Sequence, residues 1–143
     1  MKAVFEIPGE PQGKGRPRFS VRNGRVGTRT PDATLVYENY VRVMYMDSGG
    51  VRFSDDAALQ MNVLAFYQIP KSASQKRKNM MQFEQIRPTK KPDLDNVAKV
   101  IADSLNGLAY HDDSSIVELS VKKFYSNEPR VVVEISEVKN EQN

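Results

Sequence analysis

The sequence predicts a single α/β (α+β) domain in which helices pack on one small mixed or antiparallel sheet. Three observations predict it. The 143 residues are enough for one core of ordinary size and too few for two. Apolar alternation typical of strands occurs at the start, the middle and the end of the chain, while apolar residues at helical spacing fill two segments between. The resulting order, β-α-β-(α)-α-β-β, is that of a sheet covered by helices.

Val4-Phe5-Glu6-Ile7 reads as the first strand, closed by Pro8-Gly9, and Gly13, Gly15 and Pro17 then mark a loop. Thr30-Pro31-Asp32 predicts a helix start, with Thr30 capping and Pro31 at the first helical position. Val36, Tyr40, Val43 and Met44 continue that helix to a stop at Gly49-Gly50. Leu59 to Ile69 alternates and ends at Pro70, which predicts a strand. Ser72 to Gln85 is polar and lysine-rich, and reads as a short helix or an excursion. Val97, Val100, Ile101, Leu105 and Leu108 give the clearest helix, with Asp93 and Asp95 as caps and Gly107 as its stop. Strands at Ile116–Phe124 and Arg130–Ile135, joined by a turn at Tyr125–Pro129, complete one domain over 1–143, with the last few residues expected to form a disordered tail.

Composition narrows the function. With 39% hydrophobic residues, no apolar run approaches the roughly 18–20 residues of a membrane span. The first residues carry one positive charge and an apolar stretch broken by Glu6, which is not a secretory signal, so a cytoplasmic location and no membrane partner are expected. There is no cysteine, so any metal must sit on oxygen ligands or on the single histidine, His111.

The net charge of +3 is modest, but its distribution is uneven. Pro11 to Thr30 holds Lys14, Arg16, Arg18, Arg22, Arg25 and Arg29 and no acid. Pro70 to Lys91 holds Lys71, Lys76, Arg77, Lys78, Arg87, Lys90 and Lys91 against Glu84. Such segments attract phosphates through charge and counterion release; Lys14, Arg16, Arg18, Lys76, Arg77, Lys90 and Lys91 are the candidate DNA contacts. Gly9 to Lys14 lacks the spacing of a nucleoside-triphosphate loop, and no Ser or Thr follows Lys14, so no nucleotide cofactor is expected.

From Lys91 to Asp113 every acid is aspartate: Asp93, Asp95, Asp103, Asp112 and Asp113. One carboxylate caps a helix start, so the second of Asp93 and Asp95 is surplus to that role. If the following helix and strand pack side by side, Asp112-Asp113 returns toward them. Aspartates brought within a few ångströms repel unless a cation neutralises them, and hard oxygen ligands select Mg²⁺ or Mn²⁺. Lys99, one turn beyond Asp95, is placed to hold a phosphate or assist a water, or to pair with Asp95 or Asp103. His111 reads as an incidental turn residue.

Lys91-Pro92-Asp93-Leu94-Asp95-Asn96, Lys99, Asp103 and then Asp112-Asp113 before a strand resemble the RusA family of Holliday junction resolvases of bacteria and their prophages. The opening Ile7-Pro8-Gly9-Glu10-Pro11-Gln12-Gly13-Lys14-Gly15-Arg16-Pro17-Arg18 is similar to that family's usual start. The resemblance implies a RusA-like homodimer that binds four-way junction DNA and nicks two opposing strands symmetrically with Mg²⁺, in recombination and repair. It carries Asp93, Asp95 and Asp113 over as catalytic, metal-binding acids and Lys99 as the catalytic lysine. Asp112 matches a neighbouring acid, and both it and Asp113 are candidates for the metal. Phe19, Tyr110 and Phe83 are guesses for stacking against an open junction centre. The competing readings are a non-catalytic nucleic-acid-binding module and a nuclease of flap or RNA substrates.

Overall fold

The computed structural model describes residues 1–15, 18–29 and 31–139; of residues 18–20, 22, 28 and 29 it describes the backbone. Arg16, one of the candidate DNA contacts, and the expected C-terminal tail beyond Lys139 lie outside the described residues, and of Arg18 only the backbone lies within them.

A four-stranded sheet has the order β1-β6-β4-β5, and three of its strands alternate so that one face is dry. In β1 (Lys2–Pro8) Ala3, Phe5 and Ile7 are buried; in β4 (Leu59–Gln68) so are Leu59, Met61, Val63, Ala65 and Tyr67; and in β6 (Arg130–Glu137) Val131, Val133 and Ile135. β6 runs antiparallel to both β1 and β4, whereas β5 (Ile116–Ser126) runs parallel to β4. The sheet is therefore mixed. A parallel pair needs a long crossover, and here α2 (Gln75–Gln82) and α3 (Leu94–Ser104) supply it. α1 (Asp32–Asp47) and α3 pack together on the buried face, where Tyr37, Val41, Tyr45, Val97, Val100 and Ile101 join the strand residues in one core.

Three local readings need correction. The basic loop holds a hairpin, β2 (Arg18–Arg22) and β3 (Arg25–Arg29), turning at Asn23-Gly24 with φ of 53° and 75°. Positive φ at both central residues suits the right-handed strand twist, and Asn-Gly is the pair that accepts it most readily. At the start of α1, Pro31 occupies the cap position rather than the first helical one. α3 stops at Ser104, three residues before Gly107, because the Asn106 amide turns back to the Asp103 carbonyl at 3.2 Å and Asn106 bridges to Tyr110. No helix among the described residues is long and apolar enough to cross a membrane.

Candidate active site

The acids are organised by α3. Asp93 holds its cap position in extended conformation, with φ −71° and ψ 157°, yet its side chain makes no capping hydrogen bond. Asp95 lies in the first turn. Both are exposed, and no hydrogen bond or salt bridge engages either among the described residues. Capping, the ordinary structural job for an aspartate here, is thus left undone. Pro92 is fixed from below, since the buried Tyr67 hydroxyl donates to its carbonyl at 2.7 Å. Burial, then the nearby charges of Glu10 and Asp93, push the Tyr67 phenol up to about 12, so it remains a donor at neutral pH.

One stripe of α3, Asp95, Ala98, Lys99 and Ala102, forms a wall of a groove of about 380 Å³; Asp113 and the β5 residues Ile116 to Leu119 form the other. Burial, followed by the charges of Asp112 and Asp103, raises the Asp113 carboxyl above its ordinary value. Asp112 behaves differently. It caps the 3-10 turn Asp113–Ser115, accepting from the Ser114 amide at 3.1 Å, and those hydrogen bonds lower its pKa. Of the two acids, only Asp113 lines the groove.

Asp93 opens into a neighbouring depression of about 410 Å³, which it shares with Gly13, Lys14, Lys91, Pro92 and Asn96. The acids therefore lie along a line instead of closing on a point, and among the described residues no three acidic or histidine side chains stand close enough to ligate one ion. The cause is topological. β4 and β5 are parallel, so the helix between them travels back against β5. Asp93 then influences Lys123 near the far end of that strand, while Asp113 at its near end meets Asp103. From Asp95 to Ala102 is about 10 Å of helix. The donors still fit a hard cation. Asp95 and Asp113 turn carboxylate oxygens to one groove, Asp113 has other negative charges near it, and Mg²⁺ is ordinarily held by one or two carboxylates plus waters and phosphate oxygens.

The lysines divide sharply. Lys14 Nζ contacts Asp103 Oδ2 at 2.5 Å, both side chains half-buried, whereas Lys99 is exposed, lines the groove, and is in no salt bridge among the described residues. The ion pair that Lys99 would make as a plain surface residue is absent. Lys123 went unnoticed in the sequence. It is half-buried, its Nζ donates to the Lys90 carbonyl at 2.5 Å and stands 4.9 Å from the Tyr67 ring centroid. Burial lowers its pKa, offset in part by Asp93. Nothing in the strand pattern of β5 marks it, because it shares its face with buried Tyr67 only through the β4–β5 register. Lys90 lies 5.9 Å from the Tyr67 and Tyr125 rings; Lys76 and Arg77 are exposed on α2.

Of the three stacking guesses, Phe83 is 72% exposed, and the Phe19 side chain lies outside the described residues. Tyr110 is 1% exposed, and its hydroxyl donates to the Ala102 carbonyl at 2.7 Å. It is a core residue under the acids, not a stacking platform. His111 is exposed at the turn.

A groove lined by Asp95, Asp113 and a lysine that is unpaired among the described residues, beside basic segments, offers charges of both signs that suit a phosphodiester. The comparisons agree. Residues 8–136 match the family described as endodeoxyribonuclease RusA. The "Uncharacterized protein YqaN" of Bacillus subtilis (strain 168) is 42% identical over 136 residues, covering 94% of this chain and 95% of its own. The crossover junction endodeoxyribonuclease rusA of Lactococcus phage r1t is 36% identical over 87 residues, 60% of each chain. The family match runs from the end of β1 through almost all of β6 and takes in the acids of α3 and of the turn before β5, and the chain belongs to the RusA family of endodeoxyribonucleases.

Proposed function

We propose that this chain is a metal-dependent endonuclease that resolves Holliday junctions, acting as a homodimer that nicks opposing strands symmetrically. The observation that carries the reading is the groove, in which Asp95, Lys99 and Asp113 face one space. The phage relative's name supplies the junction as substrate class. Twofold symmetry in the substrate is matched by twofold symmetry in a dimer, each protomer serving one strand.

Asp95 and Asp113 of the groove, and Asp93 of the adjoining depression if the acids draw together around an ion, would hold Mg²⁺, or Mn²⁺ in its place, which supplies charge compensation and a more acidic water when bound. An Asp113 oxygen left free by the ion would be placed to accept a proton from an attacking water. The unpaired ammonium of Lys99 offers a counter-charge to the scissile phosphate where the groove excludes part of the solvent. Tyr67 orients the site through Pro92. Arg16, Arg18, Lys76, Arg77, Lys90 and Lys91 would follow the DNA backbone, contributing affinity without sequence preference.

The test is cleavage of a synthetic four-way junction, a flap, a duplex and an RNA, each with and without Mg²⁺. The reading requires paired nicks in opposed strands of the junction, dependent on Mg²⁺. Asp95→Asn should bind the junction but not cut it. Wild-type cutting by that variant sinks the site assignment, and preference for flap or RNA sinks the substrate assignment.

A further inference from the structure

Lys14 reaches α3 from a backbone seated without clearance. A Cβ on Gly13 would stand 2.9 Å from Asn96 Nδ2 and 3.0 Å from Pro92 Cβ. One on Gly15 would stand 2.8 Å from Thr34 Oγ1, which already accepts from the Gly15 amide at 2.9 Å. Glycine on both sides of Lys14 is thus required by close approach. Earlier in the same segment, the Gly9 amide donates to the Pro129 carbonyl at 2.9 Å, and the Glu10 carboxylate accepts from the Gln68 amide at 2.8 Å. Gly9 to Gly15 is a strap pinned at several points, and Lys14 is aimed by it.

Its target is the acid that Lys99 would otherwise take. Lys99 and Asp103 are four residues apart on α3, the spacing at which helical side chains meet. Lys14 arrives from 89 residues away and occupies Asp103 at 2.5 Å, while Lys99 lines the groove with Asp95 and Asp113. A half-buried carboxylate without Lys14 would draw the nearest cation, because a charge shielded from water and left unpaired is costly.

We propose that Lys14 is a positioning residue: by occupying Asp103 it keeps the Lys99 ammonium unpaired and available in the groove to a phosphodiester phosphate. The role of the phosphate rests on the nuclease reading; the exchange of partners at Asp103 does not. Lys14 is then not a backbone-tracking residue like its basic neighbours.

The test uses Lys14→Met, Lys14→Arg, Asp103→Asn and the Lys14→Met/Asp103→Asn double variant in the full chain. Single-turnover cleavage of a four-way junction is measured with saturating enzyme, together with junction affinity and the cross-hydrogen-bond NMR coupling between lysine Nζ and the Asp103 carboxyl carbon. Lys14→Met should slow the saturated step on the order of tenfold, the scale of one charge-assisted hydrogen bond, with affinity held and Lys14→Arg near wild type. In the Asp103→Asn background the same Lys14→Met change should slow nothing further. The NMR coupling should pass from Lys14 to Lys99 in Lys14→Met. Equal slowing in both backgrounds, weaker junction binding with an unchanged saturated rate, or no Lys99–Asp103 coupling overturns the proposal. If the wild type cuts no nucleic acid, the nuclease reading fails, and the NMR coupling still decides which lysine Asp103 holds.

Discussion

Replacing Asp113 by Asn should stabilise the protein without metal and deprive it of stabilisation with metal. Burial and the charges of Asp112 and Asp103 raise the folded-state pKa of Asp113 above its unfolded value. The folded chain therefore holds that proton more tightly, so the favourable contribution exists at low pH and is lost as pH rises through the raised pKa. At pH 8 the ionised carboxylate is a net cost, which Asn removes, and in EDTA the variant should melt higher than wild type. At pH 3, where the carboxyl is protonated in both states, the gap should close. Mg²⁺ at 100 times its dissociation constant adds about 2.7 kcal/mol to a protein that binds it only when folded. Unfolding 143 residues carries an entropy of about 0.3 kcal/mol/K, so wild type should gain about 9 °C. Asp113→Asn should gain a small part of that. Calorimetry in EDTA and in Mg²⁺ reads both halves. A variant that melts no higher than wild type in EDTA refutes the electrostatic argument, and a Mg²⁺ gain equal to wild type refutes Asp113 as a ligand.

Two further outcomes can be checked by melting and cleavage. Ile101 is fully buried between α3 and the sheet, so Ile101→Ala should cost about 2–5 kcal/mol and lower the melting temperature by roughly 7–17 °C; a shift under 3 °C would mean the core closes over the cavity. Tyr67→Phe removes the donor at 2.7 Å from Pro92, should cost about 1 kcal/mol, and should slow cleavage by loosening Pro92-Asp93. Because the phenol is pushed up to about 12, the wild-type rate should show no loss from this residue between pH 7 and pH 10.

How much of this was legible in the sequence depended on how local the signal was. Alternation in Leu59–Tyr67 and helical spacing in Val97–Ile101 predict elements that the fold contains, because one face of each must be dry. The β2–β3 hairpin was missed although Asn23-Gly24 sits between Val21 and Val26. The flanking arginines were read as charge rather than as strand, and the two valines are 72% and 69% exposed, so no burial pattern supports the turn signal. Asp93, Asp95, Lys99 and Asp113 were legible as a constellation, but their spread along α3 follows from the parallel β4–β5 pairing, a long-range fact. The Lys14–Asp103 pair was out of reach for the same reason, and Tyr110 was misread because one buried hydroxyl bond has no sequence signature.

Strand order has a consequence for how the nuclease comes into being. β1 has no partner in the sheet until β6 is made, since Lys2 pairs with Ser136 and Pro8 with Arg130, and β6 is also what joins β1 to β4. Most of the sheet's pairing is therefore between residues remote in sequence, a topology that folds slowly for its size. During synthesis, residues 9–15 leave the ribosome more than a hundred residues ahead of the turn before β6 that anchors their first contact, Gly9 to Pro129. A growing chain that already carries every aspartate and lysine of the groove still lacks the frame that aims them. The four-stranded sheet on which the groove is framed therefore closes only when the last described strand is in place.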